Sequence, residues 1–214
     1  MDKLPAMSND RRRLMLAAAA ATLPGWAAAQ ATATHSTANL RNAKARAARP
    51  MTAAEEASAA RAVAESIADQ TGEPVHPAVG TMPRLKHALR TFDGQEWSAR
   101  KAAGKLLMVY FWASWCPICK VVSPRLHEFW LRHRTKGLEL LALSTEAEVS
   151  KALASYQLSG FQWPAGMAAS AGLGPTMVAR SLPTLMVRSR RGVIVSVDEG
   201  DIEVDEFDAY LAHL

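Results

Sequence analysis

Cysteine is almost missing from this chain of 214 residues: there are two, Cys116 and Cys119, both inside "FWASWCPICK" (111–120). With no second cysteine pair, a zinc centre lacks half of its usual thiolates. Excess charge is also small. Lys and Arg number 25 against 20 Asp and Glu, a formal net of +5. Residues 1–30 hold four of the cations (Lys3, Arg11, Arg12, Arg13) and two of the anions (Asp2, Asp10), a net of +2, so the remainder carries +3. That balance gives no argument for nucleic acid. Large apolar residues are scarce between Ala31 and Pro74, no internal repeat is present, and the core-forming sequence must lie later. With 49% apolar and 21% charged residues, the whole is globular in composition.

A membrane-spanning run is absent near the N-terminus too. The apolar stretch from Leu14 to Leu23 falls short of the roughly 20 residues that cross a bilayer, and Pro24-Gly25 breaks it. What stands there is a basic start, a short apolar run and small residues from Ala27 to Ala31, the layout of an export signal. Cleavage after Ala29 or Ala31 fits, and Arg11-Arg12 followed by Leu14 and Met15 resembles a twin-arginine signal as much as a simple basic start. Residues 1–30 are therefore expected to be a cleaved signal peptide delivering the chain to the periplasm, where disulfides persist. Residues 31–78 read as an alanine-rich linker. Thr52 and Glu55 have capping-box spacing and Gly72 and Pro74 are stop signals, which predicts a helix over 53–70 with a thin apolar face, suited to a spacer.

Residues 79–214 read as one α/β domain. "ALRTFDGQEWSA" alternates around Asp93-Gly94 and predicts a hairpin. "KLLMVYFWA" (105–113) is a strand buried on both faces. "PICKVVSPRLHEFWLRHR" carries Ile118, Val121, Val122, Leu126, Phe129 and Trp130 at helical spacing. "GLELLALST" (137–145) is a second buried strand, "EAEVSKALASYQL" a helix, and "PTLMVRS" and "VIVSVD" two strands joined at Arg190-Arg191-Gly192. "VDEFDAYLAHL" closes the chain as an amphipathic helix with Val204, Phe207, Tyr210, Leu211 and Leu214 on one side. The order predicts a mixed central sheet with helices on both faces.

Cys116 ends the apolar strand and Cys119 lies one turn into the helix. The first sulfur then meets unpaired N–H groups and the positive end of the helix dipole, where a thiolate is favoured. The second is close enough to attack a mixed disulfide on the first, so the pair can cycle between dithiol and disulfide. A purely structural disulfide at this spacing closes a ring too short to stabilise much. A copper site of both thiolates and a histidine is chemically reasonable. Yet none of His35, His76, His87, His127, His133 and His213 stands at a ligand spacing to the cysteines, and His127 and His133 are expected to face solvent.

"GKLLMVYFWASWCPICK" resembles the thioredoxin superfamily. The "FWASWC" form, preceded by "FDGQEWSARKAAGK", resembles its exported TlpA-like branch, which includes periplasmic reductases of cytochrome c maturation and copper-stress proteins. The resemblance covers residues 79–214 and implies a thioredoxin-like fold. It makes Cys116 an exposed nucleophile and Cys119 the buried resolving thiol, forming a redox-active disulfide with no organic cofactor and no metal. Trp115 matches the tryptophan that shields the nucleophile and forms an apolar docking rim. Pro117 and Ile118 occupy the positions between the cysteines. Pro124 matches the proline that kinks the helix. Pro183 matches a cis-proline opposite the disulfide, and the backbone of Leu182 would pair with an extended substrate.

Two acids of the family pattern are missing. The buried acid six residues before the first cysteine is Tyr110 here, and the glutamate six residues after it is Val122. Glu128 has the wrong helical phase to substitute. Pro117-Ile118 is not a usual intervening pair either, so redox poise is not fixed by these residues. The expected function is thiol–disulfide exchange with periplasmic protein thiols and disulfides, leaning to reduction with a membrane electron donor. Oxidation in the same fold, with a membrane acceptor, is the alternative, and a copper-binding or redox-sensing module without turnover is another.

Overall fold

Strand β3 (Leu106–Trp112) organises the molecule, because all seven of its residues are buried and none carries a charge. The computed structural model of the protein describes residues 49–83, 88–173 and 176–212. The expected export signal (1–30), the linker as far as residue 48, His35, His87, His213, Leu214 and the side chain of Tyr210 lie outside the described residues. β3 pairs in parallel with β4 (Leu138–Ser144) and antiparallel with β6 (Thr184–Arg188). β7 (Ile194–Glu199) extends the antiparallel side, and the short β5 (Ala165–Met167) extends the parallel side. The sheet order is β5-β4-β3-β6-β7, a mixed five-stranded sheet.

Alternation along β3 sorts its side chains onto two faces. Leu106, Met108, Tyr110 and Trp112 meet helix α2 (Pro117–His133), which contributes Cys119, Val122, Leu126 and Phe129. Phe207 of the closing helix α4 (Phe207–Ala212) joins that core, as does Tyr156 of α3 (Val149–Ser159), whose hydroxyl donates to the Trp163 carbonyl at 2.8 Å. Leu107, Val109 and Phe111 face the other way. They are covered by Leu89 and Trp97 of a hairpin, β1 (Leu89–Arg90) and β2 (Glu96–Trp97), and by Ala102 and Met177. The reactive helix therefore has a large apolar underside, where each fully buried Leu or Phe adds about 1.5–3 kcal/mol.

Helix α1 (Ala53–Thr71) begins at the Thr52–Glu55 capping box and stops at Gly72, whose left-handed φ of 74° suits a glycine. It buries no residue completely but is held against the sheet by polar bonds. Glu56 accepts from the Ser189 hydroxyl at 2.8 Å and pairs with Arg191 at 3.1 Å. Gly80 makes the close approach possible: a Cβ there would stand 2.8 Å from the Ala57 carbonyl oxygen. The following backbone pairs with β7, Gly80 N–H donating to the Ile194 carbonyl and Ile194 N–H to the Thr81 carbonyl, each at 2.9 Å.

Candidate functional site

The site is built where β3 runs out and α2 begins. After Trp112 the chain turns through Ala113, Ser114 and Trp115. The turn is pinned from the neighbouring strand, since Thr145 N–H donates to the Trp112 carbonyl at 2.9 Å. Ser114 gives both its N–H, at 2.9 Å, and its hydroxyl to the Glu146 carboxylate. Cys116 is the N-cap of α2. Its sulfur occupies the position a serine oxygen commonly takes and accepts the Cys119 N–H at 3.2 Å. Pro117 follows as the first helical residue, where its missing N–H costs nothing and its fixed φ suits the helix. The helix start thus aims one backbone donor, the Cys119 N–H, at this sulfur.

Both cysteines are free thiols. The resemblance implies an exposed first sulfur, but Cys116 is only 3% exposed, against 1% for Cys119. The reason is packing: Cys116 belongs to the same apolar cluster as Trp112, Ala113 and Cys119, and Leu182 lies on that cluster. What is exposed is the rim. Trp115 is 65% exposed, Val121 61% and Ile118 40%, and Pro117 is exposed beside them. A shallow groove of about 280 Å³ adjoins this rim, lined by Trp115, Thr145, Ala179, Arg180, Ser181 and Leu182. Its floor ends at the Leu182–Pro183 peptide, which is cis. Arg180 is held in the groove wall by Glu199, which it meets through its backbone N–H at 3.3 Å and its guanidinium at 3.1 Å.

Cys119 has a different setting. Burial, then hydrogen bonding with Cys116, push its thiol up to about 12. Below it lies Tyr110, fully buried, with its hydroxyl 2.9 Å from the Ser123 hydroxyl. Burial, then the neighbouring Cys119 sulfur, push the Tyr110 hydroxyl up as well. Val122 is buried and Glu128 exposed, so neither family position nor the nearby helix brings a carboxylate under the thiol. Pro124 lies inside α2 on its exposed side.

The histidines depart from expectation. His127 does not face solvent freely: it stacks on Trp130, packs against Phe161 and Trp163, and accepts the Gln162 N–H at 3.1 Å. His133 packs on Phe129 and pairs with Asp208 at 2.8 Å. Phe161 and Trp163, distant in sequence, draw the His127 ring inward, while His133 is held by Phe129 of its own helix and by Asp208. His76 is buried, its ring nitrogens engaged with the Ala78 N–H and the Val178 carbonyl. Among the described residues no three His, Cys, Asp or Glu side chains gather as a metal-ligand set. Likewise no helix is long and apolar enough to cross a membrane. Sequence reasoning missed Glu146, Ser123 and Arg180. Ser123 was findable, four residues after Cys119 and so on the same helical face. The other two have only long-range reasons to be there.

Comparison with known proteins agrees with this architecture. Residues 81–165 match the AhpC/TSA family. The chain is 27% identical over 131 residues to the thiol-disulfide oxidoreductase ResA of Oceanobacillus iheyensis, spanning 60% of this chain and 67% of that protein. It is 25% identical over 122 residues to ResA of Bacillus cereus, spanning 56% and 69%. Among solved structures, a thiol:disulfide interchange protein of Chlorobium tepidum superposes with a TM-score of 0.53 at 20% identity, covering 61% of this chain and 94% of that one. A secreted disulfide oxidoreductase of Mycobacterium tuberculosis gives 0.53 at 18% identity, covering 61% and 98%. At such identities the superpositions show the fold, which is thioredoxin-like.

Proposed function

Since this chain carries a thioredoxin-superfamily domain with a match to the AhpC/TSA family, we propose that it is a periplasmic thiol–disulfide oxidoreductase acting through Cys116 and Cys119. The observation that carries the proposal is the sulfur at the helix cap, with Cys116 Sγ receiving the Cys119 N–H at 3.2 Å. That placement sets the sulfur at the start of the helix, in position to act as the nucleophile of the exchange. Cys116 attacks a partner disulfide, forming a mixed disulfide and expelling one partner thiolate. Cys119 then attacks Cys116 Sγ, closes the internal disulfide and releases the second partner sulfur. Electron transfer needs no metal or organic cofactor in this cycle.

Trp115, Pro117 and Ile118 supply the apolar rim on which a partner seats. Leu182 and Pro183 bound the groove where an extended partner strand would lie alongside backbone. The first access to a buried Cys116 is then through partner docking on that rim. The direction we favour is reduction of protein disulfides, with electrons drawn from a membrane donor. The "FWASWC" form, which resembles the branch that holds periplasmic reductases, supports that direction. Export to the periplasm is supported by the basic, apolar and small-residue layout of residues 1–30. The test is the reduction potential of the Cys116/Cys119 pair. A value near about −270 mV supports a reductant, and one near about −120 mV reverses the direction. Absence of any exchange with a protein disulfide would sink the enzymatic reading.

A further inference from the structure

Resolution of the mixed disulfide asks Cys119 to attack as a thiolate from a buried place where, among the described residues, no carboxylate stands. Three observations bear on how it does so. Tyr110 points from β3 to the same face as Cys119, and the two share one buried cluster. Its hydroxyl sits 2.9 Å from that of Ser123, and Ser123 is on the next turn of α2 from Cys119. The Tyr110 hydroxyl is pushed up by burial and then by the neighbouring Cys119 sulfur, which sets the two groups side by side. From this geometry we infer that Tyr110 and Ser123 form a two-hydroxyl relay that positions and stabilises the Cys119 thiolate, in place of a buried acid.

The inference rests on the exchange reading above and deepens it. The chemistry follows from which group can give up a proton. Burial keeps Tyr110 protonated, so its hydroxyl is a donor and not a base. When the proton leaves Cys119, the Tyr110 O–H donates to the sulfur, and the Ser123 O–H can turn to donate to the Tyr110 oxygen. In resolution the Cys119–Cys116 bond forms and the Cys116–partner bond breaks. The electron pair of that bond leaves on the partner sulfur, which takes up the proton that Cys119 gave up. No further oxidant or base enters. In the reverse direction Cys119 is the leaving group, and the same donor stabilises it as it departs. Tyr110 and Ser123 are positioning residues in this scheme, acting through Cys119. The relay leaves the first attack, which belongs to Cys116 and the helix start, untouched.

That separation of steps is the test. Cys116 is loaded with a small aromatic thiol as a mixed disulfide, and release of that thiol by Cys119 is followed in single-turnover mode against pH. Attack of the reduced protein on the corresponding aromatic disulfide is followed separately. In Tyr110→Phe the ring remains and only the hydroxyl goes. Release should slow by about tenfold or more, the scale expected for one hydrogen bond to a charged group, while initial attack stays within about twofold of the parent. Ser123→Ala should slow the same step less, and the double variant should not exceed Tyr110→Phe by the product of the two effects. Since the double variant leaves neither hydroxyl unpaired, it also serves if Tyr110→Phe folds poorly. Equal release rates in parent and variants overturn the relay while leaving the exchange function standing. Equal slowing of attack and release marks a merely structural role and overturns it too. A parent protein that neither attacks nor releases overturns the function and the relay together.

Discussion

The two ends of α2 are built on opposite plans. At its C-terminal end the helix is bolted down. Arg125 pairs with Glu203 at 3.2 Å, His133 with Asp208 at 2.8 Å, and Phe129 meets Phe207 edge to face. At its N-terminal end apolar side chains stand in solvent, Trp115, Ile118 and Val121 among them. A sulfur that must be met by another protein cannot be clamped from outside. Its precision has to come from the far end of the same rigid rod and from the strand beneath it. The difference teaches that most of the clamping lies at one end of the helix and the reactive sulfur at the other, so changes at the bolted end should be silent in the attack rate.

The sharpest break of that division is chemical. Cys116→Ser should abolish exchange with protein disulfides and leave the melting temperature near that of the reduced parent. Cys119→Ser should still attack, and gel analysis should find partners held covalently on Cys116. At the other end, Phe129→Ala empties a fully buried aromatic site and should cost about 3–5 kcal/mol in denaturant unfolding. The attack rate per folded molecule should hold. If that rate fell tenfold, the two ends would not be independent.

Alkaline pH loads the open end through Cys119. Cys119 is raised from 9.0 to about 12, so above pH 9 the unfolded chain gives up this proton and the native one keeps it. The contribution to stability is fully present below pH 9 and is lost as pH climbs towards 12, at up to about 1.4 kcal/mol for each unit. Urea midpoints of the parent against Cys119→Ala across that range measure it, and parallel curves would refute it. Smaller still, Trp115→Ala should raise KM for a folded protein disulfide several-fold without altering attack on a small disulfide. Because Trp115 is largely exposed, stability should change by no more than about 0.5 kcal/mol. At the bolted end Asp208→Asn weakens one half-exposed contact with His133 and should cost less than about 1 kcal/mol.

How much of this was readable beforehand follows from the range of each interaction. β3 was legible because a strand covered on both faces is an uninterrupted apolar run. α1 and α2 were legible because capping residues and helical spacing are local. The cysteine pair was legible for the same reason, four residues containing their own geometry. β5 was not. Ala165–Met167 has no strand signature, and its extended form comes from pairing with β4. The inward turn of His127 depends on Phe161 and Trp163, and nothing near His127 announces them. The burial of Cys116 was hidden likewise, since Leu182 arrives from another part of the chain. Ser123 lay in plain view at helical spacing, but its meaning required Tyr110 to be placed on the facing strand.

The bonds that Gly80 and Thr81 make to Ile194 have a consequence for how these molecules behave in a crowd. β7 is the outermost strand on its side, and outermost strands invite other chains to add to them. Here a segment of the same polypeptide has already paired with the Ile194 end of that strand, and α1 lies beside it, held by Glu56. On the proposed function, a protein with an exposed apolar rim gains from having this edge closed at that end, because a misdirected stack of sheets would remove it from circulation faster than any partner could find it.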